Sequence, residues 1–214
     1  MSSASRYLRA GADIEPEAAA ADGRRRRSQD SRARIVQAML DLVREGDISP
    51  SAELVATRAD VGLRTVFRHF KDLESLYLEM SAVIDGELIS LVHTPFKGAT
   101  WRDRVLELVE RRGWAYERIA PFKRASEVLR HNSPTLQADN TKMVEISREI
   151  LRRQLPPEIA KDRIHFEGID LLLSFDAWNR LRRDQDLSPK RTTEILQAMI
   201  SALLQSAGDA GADM

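Results

Sequence analysis

Over 214 residues the chain carries 33 Lys or Arg against 33 Asp or Glu, so its formal charge is zero, and 43% of its residues are hydrophobic. That length suffices for one domain, or for a small domain joined to a larger one, each with its own core. The absence of cysteine excludes disulfides, thiolate metal sites and cysteine nucleophiles, and the lack of a signal-peptide core or of any apolar run of about 18 residues leads us to expect a cytoplasmic protein with no membrane partner.

The neutral total hides an uneven distribution. From Arg24 to Asp72 there are eleven Arg or Lys and seven Asp or Glu, a local excess of four positive charges that the rest of the chain balances. Residues 1–30 are rich in Ala, Gly, Ser and charge with almost no apolar period, and read as a disordered arm ending in the basic run Arg24 to Arg27. Such a run suits a minor groove or is simply a solvated stretch of charge.

Residues 31–92 read as a dense helical domain. Ile35, Met39, Leu42 and Val43 recur at helical spacing and stop at Gly46, giving a first helix buried on one face. Ser49-Pro50-Ser51 supplies an N-cap and an early proline for a second, short helix whose Ala52, Val55, Ala56 and Ala59 pack closely. The chain turns at Asp60-Val61-Gly62, where Asp60 tolerates a left-handed backbone. A third helix starts at about Leu63, and Asp72 caps a fourth carrying Leu73, Leu76, Tyr77 and Met80.

The sequence His93 to Gly98, with Pro95 inside it, breaks the pattern and marks the boundary to a second domain, residues 93–214. From Trp101 to about Ser206 the apolar residues again follow a helical period, with breaks expected at Pro121, Pro134, Pro156-Pro157 and Ser188-Pro189. No alternating β-branched run occurs, so the fold class is all-α.

The third helix carries the most informative chemistry. Val66 and Phe70 stand at i, i+4 and face inward, which leaves Arg64, Thr65, Phe67 and Arg68 outward. Guanidinium forks match guanine edges or phosphates, while Thr and aromatic side chains suit the thymine methyl. On a helix taken alone, exposed arginines are more often a solvated face. His69 could equally pack or cap locally, and Phe67 could belong to the core.

This stretch, Ala59 to Leu76, resembles the DNA-binding region of the TetR family of regulators, and the resemblance extends over roughly Ile35 to Met80. It implies an N-terminal three-helix helix-turn-helix domain followed by a helical ligand-binding and dimerisation domain. By position, Arg64, Thr65, Phe67, Arg68 and His69 would contact DNA, and Ser51 and Lys71 would hold phosphates. The chain departs from the family pattern at Asp60 (usually Gly), Gly62 (usually Ser), Phe67 (usually Tyr) and Leu73 (commonly Lys). The implied partners are a pseudo-palindromic double-stranded operator, an unknown small-molecule effector and a second copy of the chain. The implied function is transcriptional regulation, with repression relieved by the effector.

No catalytic, metal or cofactor motif is found: no two histidines stand at i, i+4, and there is no glycine-rich phosphate loop. His165-Phe166-Glu167 and the pair Glu145 and Glu149 are weak metal or catalytic candidates, the pair being better read as partners of Arg148 and Arg152. Trp101, Trp114, Tyr116, Phe122, Phe166, Phe175 and Trp178 either line a cavity or form core. Two wide apolar stripes, Arg163 to Gln185 and Pro189 to Ser206, are expected to pair between two subunits, with Leu203 near one edge. The competing reading is a helical small-molecule carrier or enzyme that does not bind DNA.

Overall fold

The computed structural model describes residues 16–210, with side chains except at 16–22, 24, 89–92 and 207–210. Among these residues there are ten α-helices, one π-helical turn and no strand. The helices are α1 (Pro16–Arg44), α2 (Ala52–Arg58), α3 (Leu63–His69), α4 (Leu73–His93), α5 (Trp101–Arg130), α6 (Pro134–Arg152), α7 (Pro157–Lys161), α8 (Arg163–Leu172), α9 (Phe175–Asn179) and α10 (Pro189–Ala210). The π-helical turn, Arg180–Asp184, follows α9 directly.

Side-chain caps set most of the helix starts. Asp72 and Ser75 form a reciprocal capping box on α4, and Thr100 and Asp103 another on α5. Ser133, Asp162 and Ser174 cap α6, α8 and α9 by accepting backbone N–H groups, without the reciprocal bond. At α2 the cap is Ser51 itself, whose oxygen accepts from Leu54 N at 3.2 Å, so Pro50 precedes the cap instead of opening the helix. Gly46 ends α1 at φ +103°, a conformation that favours glycine.

Two expectations are corrected. The disordered arm is not seen from Pro16 onward, because α1 runs unbroken from there, and residues 1–15 lie outside the described part. The composition that suggested disorder is dominated by alanine and arginine, both strong helix formers, and a helix already nucleated by its buried half can be extended by them. Pro121 does not break the chain either. It lies inside α5, where Ala120, Phe122 and Ala125 are buried, and that packing carries the helix past a missing N–H.

Two cores hold the molecule. The first joins Ile35, Met39, Leu40 and Val43 of α1 to Val55, Val66, Phe70, Leu76, Tyr77 and Met80, and continues into Phe122, Ala125 and Leu136 of α5 and α6. The N-terminal helices therefore rest on the larger domain through α4 and α5. The second gathers Val105, Leu108 and Val109 of α5, Leu151 and Leu155, Phe166, Ile169 and Leu173, and Leu196, Ile200 and Leu204 of α10.

The connection between α4 and α5 is tied by Glu107, whose carboxylate accepts the N–H groups of Lys97 and Gly98 at 2.8 and 3.1 Å and pairs with Arg111 at 2.6 Å. Gly98 lies so close to α5 that a Cβ there would come within 2.7 Å of Arg104 N, which only glycine allows. Arg148 binds α6 to α8 through Glu167 at 2.7 Å and Asp170 at 2.6 Å.

The stripe expected as one helix from Arg163 to Gln185 is divided into α8, α9 and the π-helical turn, because Ser174 starts a new helix by capping Ala177 N. Within it Phe166, Ile169 and Trp178 are buried, whereas Ile164 and Leu171 are 81% and 65% exposed. In α10 Leu196, Ile200 and Leu204 are buried and Met199 is exposed. Leu203 packs into the chain's own second core beside Gly168. Leu203 is therefore not at the open edge of the stripe; the large apolar residues exposed there are Ile164, Leu171 and Met199.

Candidate DNA-reading surface and ligand cavity

The turn into α3 is built as the sequence suggested. Asp60 adopts φ +52°, and Val61 N donates back to Ala56 O at 3.0 Å, so the chain reverses within three residues. Gly62 occupies the N-cap of α3 without a side-chain bond.

Val66 and Phe70 are each 2% exposed and anchor α3 to the first core. Their burial turns Arg64, Phe67 and Arg68 outward, with Phe67 51% exposed and Thr65 half-buried beside them. Phe67 is thus not core. Arg64 and Arg68 stand one turn apart, and neither they nor exposed Lys71 forms an ion pair among the described residues. No acidic residue interrupts α3. Leu63, at its first position, is also exposed and was missed by the sequence reading. Its spacing of three residues from inward-facing Val66 gave no clear side.

His69 is placed differently from its neighbours. Its Nε2 is enclosed with no hydrogen-bond partner, and burial, then Arg68 and Arg32, push the imidazole below its ordinary value. Its Nε2 therefore does not face outward. Ser51 is exposed, but its oxygen already accepts from Leu54 N and its O–H is directed to the Glu53 carboxylate, a bond that helps to hold Glu53 below its ordinary value.

Arg32 supports this surface from beneath, an interaction with no local sequence signal. It donates to His69 O at 2.9 Å, grips Glu79 of α4 with two bonds of 2.7 and 3.3 Å, and stacks 4.4 Å from the Phe70 ring centre. One side chain thereby connects α1, α3 and α4.

Arg25, Arg26 and Arg27 are exposed on α1, and Arg27 donates to Gly23 O within the helix. An α-helix is about 10–12 Å wide and a minor groove about 6 Å, so this helical stretch does not enter one as a flexible arm would.

A cavity of about 570 Å³ opens between α4, α5, α6 and the α8–α9 region, within the range that holds drug-sized ligands. Met80, Ile84, Leu88, Ile119, Phe122 and Phe175 provide apolar walls. Of the aromatics named from sequence, Tyr116, Phe122 and Phe175 line it. Phe166 and Trp178 are buried core, Trp101 packs on the second core, and Trp114 is exposed under Arg118. The Tyr116 hydroxyl donates to Leu173 O at 2.8 Å, and Arg112 donates to Leu173 O and Ser147 O, so both are committed to holding the wall.

Asp85, Lys123, Asp139, Lys142 and Asp176 line the cavity without an ion pair among the described residues, and burial shifts Lys123 and Asp85. Lys123 donates to Asn140 Oδ1 at 3.0 Å and is pushed below its ordinary value, first by burial and then by Arg130, against the pull of Asp176, Glu127 and Asp139. Asp85 is pushed up by burial and by Asp139, against Lys123 and Lys142.

No group of three or more His, Asp or Glu suited to a metal is found among the described residues, and none of their helices is long and apolar enough to cross a membrane. His165 is bonded to Asp162 at 2.6 Å and to Ser206, Glu149 to Arg152 and Arg153, and Glu167 to Arg148, whereas Glu145 has no ion pair among the described residues and Arg148, expected as its partner, pairs with Glu167 and Asp170 instead.

No protein-family model matches the sequence, and no curated protein matches it. Solved structures do match. A transcriptional regulator from Rhodococcus sp. Rha1 is similar over 82% of this chain and 96% of its own, with TM-score 0.64 and 20% identity. A protein described as a proposed transcriptional regulator from Streptomyces coelicolor A3(2) is similar over 79% and 98%, with TM-score 0.56 and 23% identity. A proposed TetR-family transcriptional regulator from Mesorhizobium loti MAFF303099 is similar over 84% and 98%, with TM-score 0.57 and 18% identity. The chain therefore shares the all-α fold of these three proteins, one of which is described as TetR-family, with its N-terminal helices α1 to α3 carried on a helical C-terminal part.

Proposed function

We propose that this protein is a non-enzymatic, sequence-specific DNA-binding regulator of transcription. The observation that carries the reading is the outward face of α3, where Arg64 and Arg68 stand without ion pairs beside exposed Phe67, on a fold shared with transcriptional regulators. Arg64 and Arg68 would read guanine edges or phosphates, Thr65 and Phe67 the thymine methyl, and Lys71, with Ser51 once its O–H turns from Glu53, would donate to phosphates. His69 joins this set only through its remaining surface, since its Nε2 is enclosed.

Two copies would pair through α8 and α10, where exposed Ile164, Leu171 and Met199 offer an apolar face, and present two α3 helices to successive major grooves about 34–36 Å apart. The cavity would take a small effector. Because α4 contributes Met80 and Ile84 both to the first core and to the cavity wall, a ligand that alters the spacing of α4 against α5 also alters the reading heads. Relief of repression would follow from a coupling of about 1–3 kcal/mol between the two sites.

Selection of bound DNA from a random pool, followed by titration at several salt concentrations, tests the reading. The expected result is a two-fold related site, an affinity that falls steeply with salt, and a loss of about 5- to 150-fold in Arg64→Ala and Arg68→Ala with unchanged helicity. Unchanged affinity in both variants would remove α3 from the interface. Leu171→Glu is expected to give a folded monomer with weakened operator binding, and a still-dimeric variant would place the subunit contact elsewhere.

A further inference from the structure

The lining of the cavity holds two half-buried groups of opposite charge, Lys123 and Asp85, that no ion pair among the described residues neutralises. Lys123 of α5 has three N–H donors and uses one, toward Asn140, and it has no ion pair among the described residues. Asp85 of α4 makes neither a hydrogen bond nor an ion pair among them. Both line the same cavity, on helices that pack together elsewhere along their length. Half-buried charges left this way cost stability unless something completes them.

The charge balance decides what can do so. The lining carries five Arg or Lys and five Asp or Glu, so no net field favours an anion or a cation. Arg130 and Glu127 pair at 2.8 Å, and Asp170 is held by Arg148 at 2.6 Å. Around Asp85 the charges felt are Asp139 on one side and Lys123 and Lys142 on the other. An anion settled on Lys123 would meet the charges of Asp176, Glu127 and Asp139, and a cation settled on Asp85 would meet those of Lys123 and Lys142. Either one leaves an excess charge among apolar walls such as Met80, Phe122 and Phe175. A neutral group that both accepts and donates completes Lys123 and Asp85 together and leaves the balance at zero.

We propose that Lys123 and Asp85 are the head-group receptors of this cavity, and that its ligand is an uncharged amphipathic molecule whose polar end, like a primary amide, accepts from Lys123 and donates to Asp85 while its apolar body lies on the cavity walls. The inference rests on reading the cavity as the effector site. Asn140, by holding one Lys123 donor, positions the ammonium and leaves its other donors to the ligand.

Three matched eight-carbon probes test the assignment on the full chain by calorimetric titration near neutral pH: octanamide, octanoate and octylamine. The wild type is expected to bind octanamide at least tenfold more tightly than either ion. Asp85→Asn, which removes one negative charge from the lining, is expected to shift preference toward octanoate, and Lys123→Gln, which removes one positive charge, toward octylamine, so the two variants move in opposite directions. Circular dichroism verifies that each is folded, and the wild-type order stands as evidence if one is not. A wild type that prefers an ion, binds none of the three at millimolar concentration, or shares its order with both folded variants overturns the assignment. Operator retention is measured separately. Operator binding without the expected probe order defeats the head-group assignment alone, whereas the expected order without release of operator leaves that assignment standing and defeats the effector reading.

Discussion

Replacing Arg32 with alanine removes the one side chain that connects α1 to the end of α3 and to α4, and its cost can be built from the contacts. The ion pair with Glu79 has side chains 39% and 41% exposed, so after solvent screening it contributes only about 0.2–1 kcal/mol. The hydrogen bond to His69 O, 2.9 Å long, adds about 1 kcal/mol net, because that carbonyl closes α3 and loses its partner. Stacking at 4.4 Å on the Phe70 ring adds about 0.5–1 kcal/mol. These terms share one side chain and do not add fully, so about 2 kcal/mol is expected for Arg32→Ala and about 0.5 kcal/mol for Glu79→Gln, which loses the ion pair alone. In a chain of this size 2 kcal/mol corresponds to a melting shift of about 4–8 °C. Arg32→Lys keeps the charge but not the planar fork and is expected to recover less than half of the loss. Urea titrations of the three variants, followed by circular dichroism, decide it. If Arg32→Ala unfolds at the same midpoint as Glu79→Gln, the carbonyl and ring contacts contribute nothing and the argument fails.

Two further changes probe other parts of the molecule. Glu107→Gln should destabilise the chain by about 1–2 kcal/mol near neutral pH, because Glu107 accepts from Arg111, Lys97 N and Gly98 N together. Burial alone would raise its carboxyl, but those hydrogen bonds outweigh it and hold the group below its ordinary value of 4.5. The stabilisation is therefore full above that value and is lost as pH falls through the lowered folded value, so thermal melts of wild type and variant should converge in acid. A gap that persists there would show that the carboxylate charge is not its source. Tyr77→Phe should raise stability by up to about 1 kcal/mol, because the Tyr77 hydroxyl is enclosed without a partner. Burial, with Asp47, pushes that phenol up to about 12, so it stays protonated through the melt. A clear drop in melting temperature would mean that the hydroxyl is bonded after all.

Much of the outward face of α3 was legible residue by residue, because each signal is local. Val66 and Phe70 at i, i+4 determine which side of α3 is buried, and so which of Arg64, Phe67 and Arg68 face out. Asp60 in the left-handed turn and Asp72 at the cap of α4 depend on backbone geometry within a few residues of themselves. The all-α class follows from the same helical period. Propensity is legible too: the low apolar content of residues 16–30 points to disorder, whereas their alanines and arginines favour the helix that forms there.

What tertiary structure alone decided is every contact between residues far apart in the chain. Arg32 meets Glu79 across 47 positions and His69 across 37, and Lys123 meets Asn140 through a loop. Packing on Ala120, Phe122 and Ala125 carries α5 through Pro121, while the Ser174 cap divides what apolar spacing presented as one helix. Periodicity states that a face is buried but not against what. It could not separate Leu203, which fills the chain's own core, from Met199, four residues earlier, which faces out. Nor could it show that five helices, α4, α5, α6, α8 and α9, stop short of one another and leave a cavity, because a void is a property of how faces fit together and no single face encodes it.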